Sequence, residues 1–328
     1  MTGRSNHSLR KRILKDGLFL LLLALMLNIL GPVFLPKDNT PEAGRLETDP
    51  TALLSQPENA IDLLFLGDSE AYSGFVPLEL WKNQGIASFV CASVDQKPYE
   101  TVWFLETALT KQTPKAVVLE TNVLYRVYAR RDLLEPYAQR LFPVLRHHDR
   151  WKSLSLRDLE PPQYTGAYPD RGYHLLTAAD PLEDLTGYMA PMNEWEPLSR
   201  ANMASFRKIY DLCAEKGIQL ILYSVPSPMN WTVRRHNTME DLARDFGITY
   251  LDGNLLDLGI DWTTDTYDRG DHLNYWGAQK NTAWLGAWLT QNCPLPDHRE
   301  DPAYEGWTED LETLPQRIRE KQAGEPEA

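Results

Sequence analysis

Five short, continuously apolar runs, each closed by a turn signal, constrain this chain more than any other feature. They are "IDLLFLGDS", "ASFVCAS", "KAVVLETN", "QLILYSVPS" and the shorter "ITYLDG". Runs without polar alternation read as strands buried on both faces. Helix-like patterns accompany them over Pro98–Lys111, Ser199–Lys216 and roughly Thr232–Phe246. Such alternation predicts the α/β class, as one three-layer domain around a parallel sheet of about five strands.

That domain is expected over 60–293. Within it the pattern breaks down at about 123–198, where "RHHDRWKSLSLRDLEPPQYTGAYPDRGYH" mixes aromatic residues, Pro and both charges. An inserted subdomain or lid is expected there, because long irregular insertions in compact domains are usually functional. Residues 294–328 are acidic and read as a tail with disordered last residues.

The amino terminus adds a second constraint. A basic segment, 1–16, with Arg10, Lys11, Arg12 and Lys15 near its end, precedes an uncharged apolar run from Gly17 to Leu35. At the helical rise these residues span roughly 28 Å, close to the hydrocarbon thickness of a bilayer. The run is read as an uncleaved single-pass signal-anchor in the cell membrane, with the basic flank cytoplasmic and the rest extracytoplasmic. A cleaved signal peptide competes, but the run is long for one and no Ala-x-Ala site follows. A buried core helix is the plain alternative, disfavoured by apolar residues on every face. The polar, Pro-rich segment 36–59 then reads as a linker that lifts the domain off the membrane.

Composition excludes one partner class. A formal net charge of -13 opposes binding to nucleic acid, which needs Lys and Arg to neutralise phosphates. Cys91, Cys213 and Cys293 are too far apart for a Cys-x-x-Cys metal or redox site and too few for a disulfide framework. No cofactor is called for.

Chemistry concentrates at two places. Ser69 follows the first strand directly, in "LGDSEAYSGF", and so stands at the carboxyl edge of the sheet, where open parallel sheets bind ligands. A serine hydroxyl needs a neighbouring base to become a nucleophile. His272, in "DRGDHLNYWGAQKNT", comes after the last strand and just before an amphipathic helix that Asn274 would cap. Asp268 or Asp271 could hold its other ring nitrogen, fixing the tautomer and stabilising the imidazolium. Either acid could equally solvate the loop or cap the helix. Candidate oxyanion donors are the Ser69 N–H, Ala92 or Ser93 after the second strand, and the Asn122 side chain after the third. Trp231, Arg234 and Arg235, following the fourth strand, could line a groove for a glycan or anionic polymer, or simply begin a solvated helix. A metal site is not expected, since Asp268, Asp271 and His272 share one loop with no His-x-x-x-His partner set.

Together these residues resemble the SGNH (GDSL-type) hydrolase superfamily. "LGDSEAYSGF" is similar to its first block, with Ser69 as nucleophile, and "DRGDHLNYWGAQKNT" to its last, with His272 as base. The resemblance implies a flavodoxin-like sheet. The second block normally offers a Gly N–H to the oxyanion, and Ala92 stands there. The third normally reads Gly-x-Asn-Asp, of which "LETNVLYR" keeps Asn122. The usual Asp lies three residues before the His, where this chain has Arg269, so Asp268 or Asp271 must substitute.

An SGNH-like domain behind one anchor also resembles accessory proteins of cell-surface acylation, of the alginate O-acetylation and teichoic acid D-alanyl transfer types. That likeness implies an acyl-serine ester, a polysaccharide or teichoic acid substrate, and a membrane-bound O-acyltransferase as partner. Two functions follow as expectations: an anchored serine esterase or O-acyltransferase, or a catalytically idle scaffold that binds the partner acyltransferase.

Overall fold

The computed structural model describes residues 3–40, 50–129, 132 and 134–324. They form two compact units, one of Met1–Gly44 with Tyr128–Thr165 and one of Arg45–Val127 with Gly166–Ala328. The strands are β1 (Leu63–Gly67), β2 (Ser88–Ala92), β3 (Ala116–Glu120), β4 (Gln219–Ser224) and β5 (Thr249–Asp252). The helices are α1 (Gly3–Phe34), α2 (Ser69–Gly74), α3 (Pro77–Gln84), α4 (Pro98–Ala108), α5 (Glu135–Leu141), α6 (Pro143–His147), α7 (Arg200–Lys216), α8 (Val233–Phe246), α9 (Tyr275–Asn292) and α10 (Glu305–Gly324).

In the larger unit all five strands are parallel, in the order β2-β1-β3-β4-β5. Every residue of β1, β2 and β3 is buried, which is why their sequences lack alternation. The chain first winds outward from β1 to β2, then returns to place β3 on the other side of β1. The reversal leaves a crevice between the carboxyl ends of β1 and β3. Phe65 on β1 stacks on Phe75 at 4.3 Å, and Phe75 meets Tyr223 of β4 edge-on at 5.4 Å, so the core continues under that crevice.

Local signals set the helix ends. Ser199 and Thr232 accept from Asn202 N and Arg235 N at the starts of α7 and α8. Gly217 and Gly247 close the same helices in the left-handed conformation. Ala278, Leu285 and Leu289 of α9 are buried in the core, where α9 packs on α2 and α3.

Three boundaries differ from the sequence expectations. The linker expected over 36–59 already belongs to the larger unit by Ala52 and Leu53, which are buried in a 3-10 turn over Pro50–Ser55; residues 41–49 lie outside the described residues. The insertion expected as one piece divides: residues 128–165 group with α1, and 166–198 join the larger unit. The acidic tail carries a folded helix, α10, because Trp307 packs on Trp81 at 5.4 Å and lies under Arg171 at 4.4 Å. Two buried apolar residues, Trp307 and Leu314, in an otherwise charged helix are too few to announce it in the sequence. Residues 325–328, expected to be disordered, lie outside the described residues.

Residues 166–198 form no regular element, yet their backbone is bonded to the outer strand β2, to α2 and to the start of α9. Val90 N donates to Arg171 O at 2.9 Å, His174 N to Tyr72 O at 2.8 Å, and Tyr275 N to Leu176 O at 2.8 Å. Gly172 permits the approach to β2: its φ is 84°, and a Cβ there would lie 2.1 Å from Val90 O. Backbone cannot yield as a side chain can. Gly172→Ala should therefore destabilise the fold by about 1–3 kcal/mol, read as a lower denaturant midpoint, and an unchanged midpoint would show that the strap does not need this contact.

Candidate active site

The crevice at the sheet reversal receives Ser69. In register, Leu66 pairs with Leu119 and Gly67 with Ala92. Ser69 and Asn122 thus each stand three residues beyond a paired position on adjacent strands, and Ala92 flanks Gly67 on the other side. The sequence candidates from the first three strands are brought to one edge.

Asp68 caps α2 by accepting from Glu70 N at 3.1 Å. It is fully buried, and its other oxygen is paired with Arg126 Nε. Arg126 Nη2 also donates to Ser69 Oγ at 3.3 Å. A serine oxygen that accepts from a guanidinium keeps its own proton free for another acceptor. Arg126 was not among the sequence candidates. Its only signal is a cation four residues past Asn122, and a site of this kind is not usually read by charge.

His272 is held by Asp268. Asp268 Oδ2 accepts from His272 Nδ1 at 2.7 Å and Oδ1 from His272 N at 2.6 Å. Asp271 Oδ1 is 3.8 Å from the same ring nitrogen and instead accepts from Asn230 Nδ2. The four-residue spacing works because Arg269 and Gly270 both take positive φ, 56° and 84°, folding Asp268 back over the ring. Ser227 Oγ donates to Gly270 O and Asp271 O at 3.2 and 2.8 Å, pinning that turn. Asn274 caps α9, and its amide donates to Thr264 O at 2.7 Å. With Nδ1 engaged, His272 Nε2 is the ring nitrogen left; it is buried and bonds neither Ser69 nor any other group here.

The other candidates divide. Asn122 Oδ1 accepts from Arg235 Nη1 at 3.0 Å, which turns the donor end of the amide away from that arginine. Ser93 Oγ donates to Gln96 Oε1 at 3.1 Å. Arg235 is not a groove-lining cation: it donates to Glu196 and Asn230 O as well and stacks over Tyr125 at 4.5 Å. Trp231 is 3% exposed, with its Nε1 donating to Asp252 at 3.0 Å. Asp252 also accepts from Tyr250 at 3.0 Å and lies 2.7 Å from His236 Nδ1, so a second Asp–His pair ties this loop together. Arg234 is half-exposed, 3.6 Å from Glu194. Trp231 and Arg234 contribute to a cavity of ≈ 380 Å³ whose other walls include Leu182, Met189, Pro228 and Met229. Leu182 and Pro228 would both touch a Cβ placed on Gly270, so the cavity abuts the His272 turn.

Carboxylates crowd the site. Burial, then the charges of Glu120 and Asp68, holds Glu70 well above the usual range; burial and Asp68 do the same to Glu120. Burial raises Asp68 too, against the opposing pull of Arg126. For His272, burial lowers the pKa, but the Asp268 hydrogen bond and the charges of Asp268, Asp271 and Asp68 outweigh it, so it lies above its ordinary value. Glu70, Asp271 and His272 each bring one ligating atom within 4.8 Å of the others, the one grouping among the described residues that could hold a metal ion.

No family model matches the chain, and no curated protein matches it. Among solved structures it is similar to a lipase/acylhydrolase from Enterococcus faecalis, with 12% identity, a TM-score of 0.38, and coverage of 71% of this chain and 96% of that one. It is also similar to a GDSL-like lipase from Bacteroides thetaiotaomicron, with 11% identity, a TM-score of 0.38, and coverage of 75% and 100%. At that distance the functional reading rests on the site's own geometry.

The raised His272 pKa has a definite sign. A base must be neutral to accept a proton, so any rate that depends on it should rise with pH through a midpoint above 6.5. Removing the charge in Asp268→Asn should move the His272 titration, followed by NMR of its ring protons, to lower pH. Asp271→Asn should move it less. A larger shift from Asp271→Asn would reverse the assignment of the partner.

Proposed function

We propose that the chain is a membrane-anchored, extracytoplasmic serine esterase or O-acyltransferase of the SGNH type. It would move an acyl group such as acetyl onto or off a cell-envelope polysaccharide through an acyl-Ser69 ester. The observation that carries this reading is the Asp268–His272 pair, which fixes Nδ1 and leaves Nε2 free at the edge where Ser69 stands.

In this reading Ser69 Oγ attacks the ester carbonyl carbon and its proton passes to His272 Nε2. The carbonyl oxygen takes up the negative charge and is received by the N–H of Ser69, the N–H of Ala92 or Ser93, and the Asn122 amide. Asp268 stabilises the imidazolium. The intermediate collapses as His272 returns the proton to the departing alcohol, leaving the acyl group on Ser69. Water or a glycan hydroxyl then attacks that ester, His272 taking its proton and delivering it to Ser69 Oγ. Arg126, already bonded to that oxygen, favours its negative form and holds its position. The cavity beside Gly270 offers room for the acyl group or a sugar ring.

Residues Arg10–Phe34 of α1 are long and apolar enough to cross a bilayer. They support the anchor and, with it, a membrane-bound O-acyltransferase as partner. One observation favours the idle scaffold instead: Ser69 Oγ is bonded to Arg126 and His272 Nε2 to nothing. Catalytic hydrogen bonds that tighten only around substrate account for the same geometry.

The full chain in detergent should hydrolyse p-nitrophenyl acetate, and Ser69→Ala should lower kcat/KM by roughly 10³-fold or more. A fluorophosphonate should label Ser69 in the wild type alone. Equal turnover by the two proteins, with no labelling, would establish the scaffold.

A further inference from the structure

We infer that residues 134–159 of the insertion lie on the membrane surface, as an interfacial contact beside the spanning helix rather than a lid. The inference rests on the reading of α1 as a membrane span and concerns the smaller unit alone.

The end of α1 fixes the height of the insertion. Between Leu18 and Leu30 no residue of the helix is buried, and Leu18, Phe19, Leu21, Leu25 and Ile29 are exposed. Burial begins at Gly31, where a Cβ would lie 2.9 Å from Pro143 Cδ of α6. Arg150 then donates from Nη1 to Phe34 O at 3.0 Å and Leu35 O at 2.5 Å, satisfying carbonyls that the end of a helix leaves open. Its Nη2 donates to Asp158 at 2.6 Å, and Asp38 accepts from Thr165 N at 2.9 Å. The insertion is thus bonded to the last turn of the helix and the residues just after it.

Asp16 is the last charged residue before the apolar run. From there the helix rises roughly 22 Å to Gly31 and about 28 Å to Leu35, against a hydrocarbon core of about 30 Å. Groups bonded to Phe34 and Leu35 therefore stand near the far boundary between hydrocarbon and head groups.

At that level the insertion exposes large apolar side chains. Leu156 is 84% exposed, Leu159 71% and Trp151 64%, with Leu141 and Leu145 also exposed. In water such a concentration is unfavourable. Beside them are Arg140, Arg146, Lys152 and Arg157, with Glu135 and Asp149 as exposed acids, so basic residues outnumber acidic ones there in a chain whose net charge is -13. Leu and Trp with interleaved basic residues on short helical segments are the composition of an element lying in the plane of a membrane interface. Lipid is the occupant because the patch is bonded to the bilayer-spanning helix at bilayer height. A protein partner would need no such placement.

The test uses the full chain in phosphatidylcholine vesicles. Nitroxide labels go on Leu156→Cys and, separately, Leu159→Cys; both sites are exposed, and the three native cysteines are buried. Carbonate extraction of the same vesicles reports the anchor independently. With the protein resistant to carbonate, each label should be severalfold more accessible to oxygen than to a water-soluble nickel chelate. Resistance to carbonate with labels open to the chelate, or shielded from both reagents as under a protein partner, would overturn the inference while leaving the anchor standing. Release by carbonate would overturn both.

Discussion

The site depends on one buried ion pair. Asp68 leaves β1 with no exposed surface, and Arg126, arriving after β3, is paired with it. Removing one partner of such a pair typically costs about 3–5 kcal/mol, because the other is left charged and dry. The pair therefore fastens the exits of the two strands between which the sheet reverses. Since Arg126 also reaches Ser69 Oγ, the interaction that closes the crevice sets the hydroxyl inside it. The scaffold and the candidate nucleophile are positioned by a single guanidinium.

The same economy recurs on the other side of the crevice. Asn230 donates to Glu70 at 2.6 Å and to Asp271, so one amide joins the loop after β4 to α2 and to the His272 turn. Asp252 gathers Trp231, Tyr250 and His236 beneath that loop. Long irregular segments are held here by buried side-chain acceptors that each take several donors, a network in which every bond is strengthened by low local dielectric. Residues 166–198 achieve the same end with backbone hydrogen bonds, which accounts for an ordered segment with no sequence periodicity.

Strands and their parallel pairing were legible because burial on both faces writes itself into consecutive residues, as in Leu63–Gly67 and Ala116–Glu120. The places of Ser69 at a strand end and His272 before a capped helix were legible because both are local patterns. Asp268 could not be chosen over Asp271, since the choice turns on the left-handed backbone at Arg269, a non-glycine residue that gives no warning. Trp231 does line the cavity but is anchored by Asp252, whereas Arg235 looked like a surface ligand because its partners, Glu196 and Asn122, are distant in sequence. Arg126 and Glu70 were missed for the same reason. Their roles come from charges that the fold brings together.

The crowding of carboxylates is unfavourable to the fold and bears on the basicity of His272. Glu70 and Glu120 titrate above their ordinary values in the folded chain, so the folded state holds protons that the unfolded state has released. Their contribution to stability is accordingly lost as pH rises from the ordinary carboxylate range toward their raised pKa values. A core selected for stability alone would not keep them. Yet the field that penalises these acids is part of what lifts His272 above its ordinary pKa, since Asp68 and Asp271 act on both. Burial is the first cause raising the two acids and Asp268 the first raising the histidine, so the charges of Asp68 and Asp271 are only the shared part of the two effects.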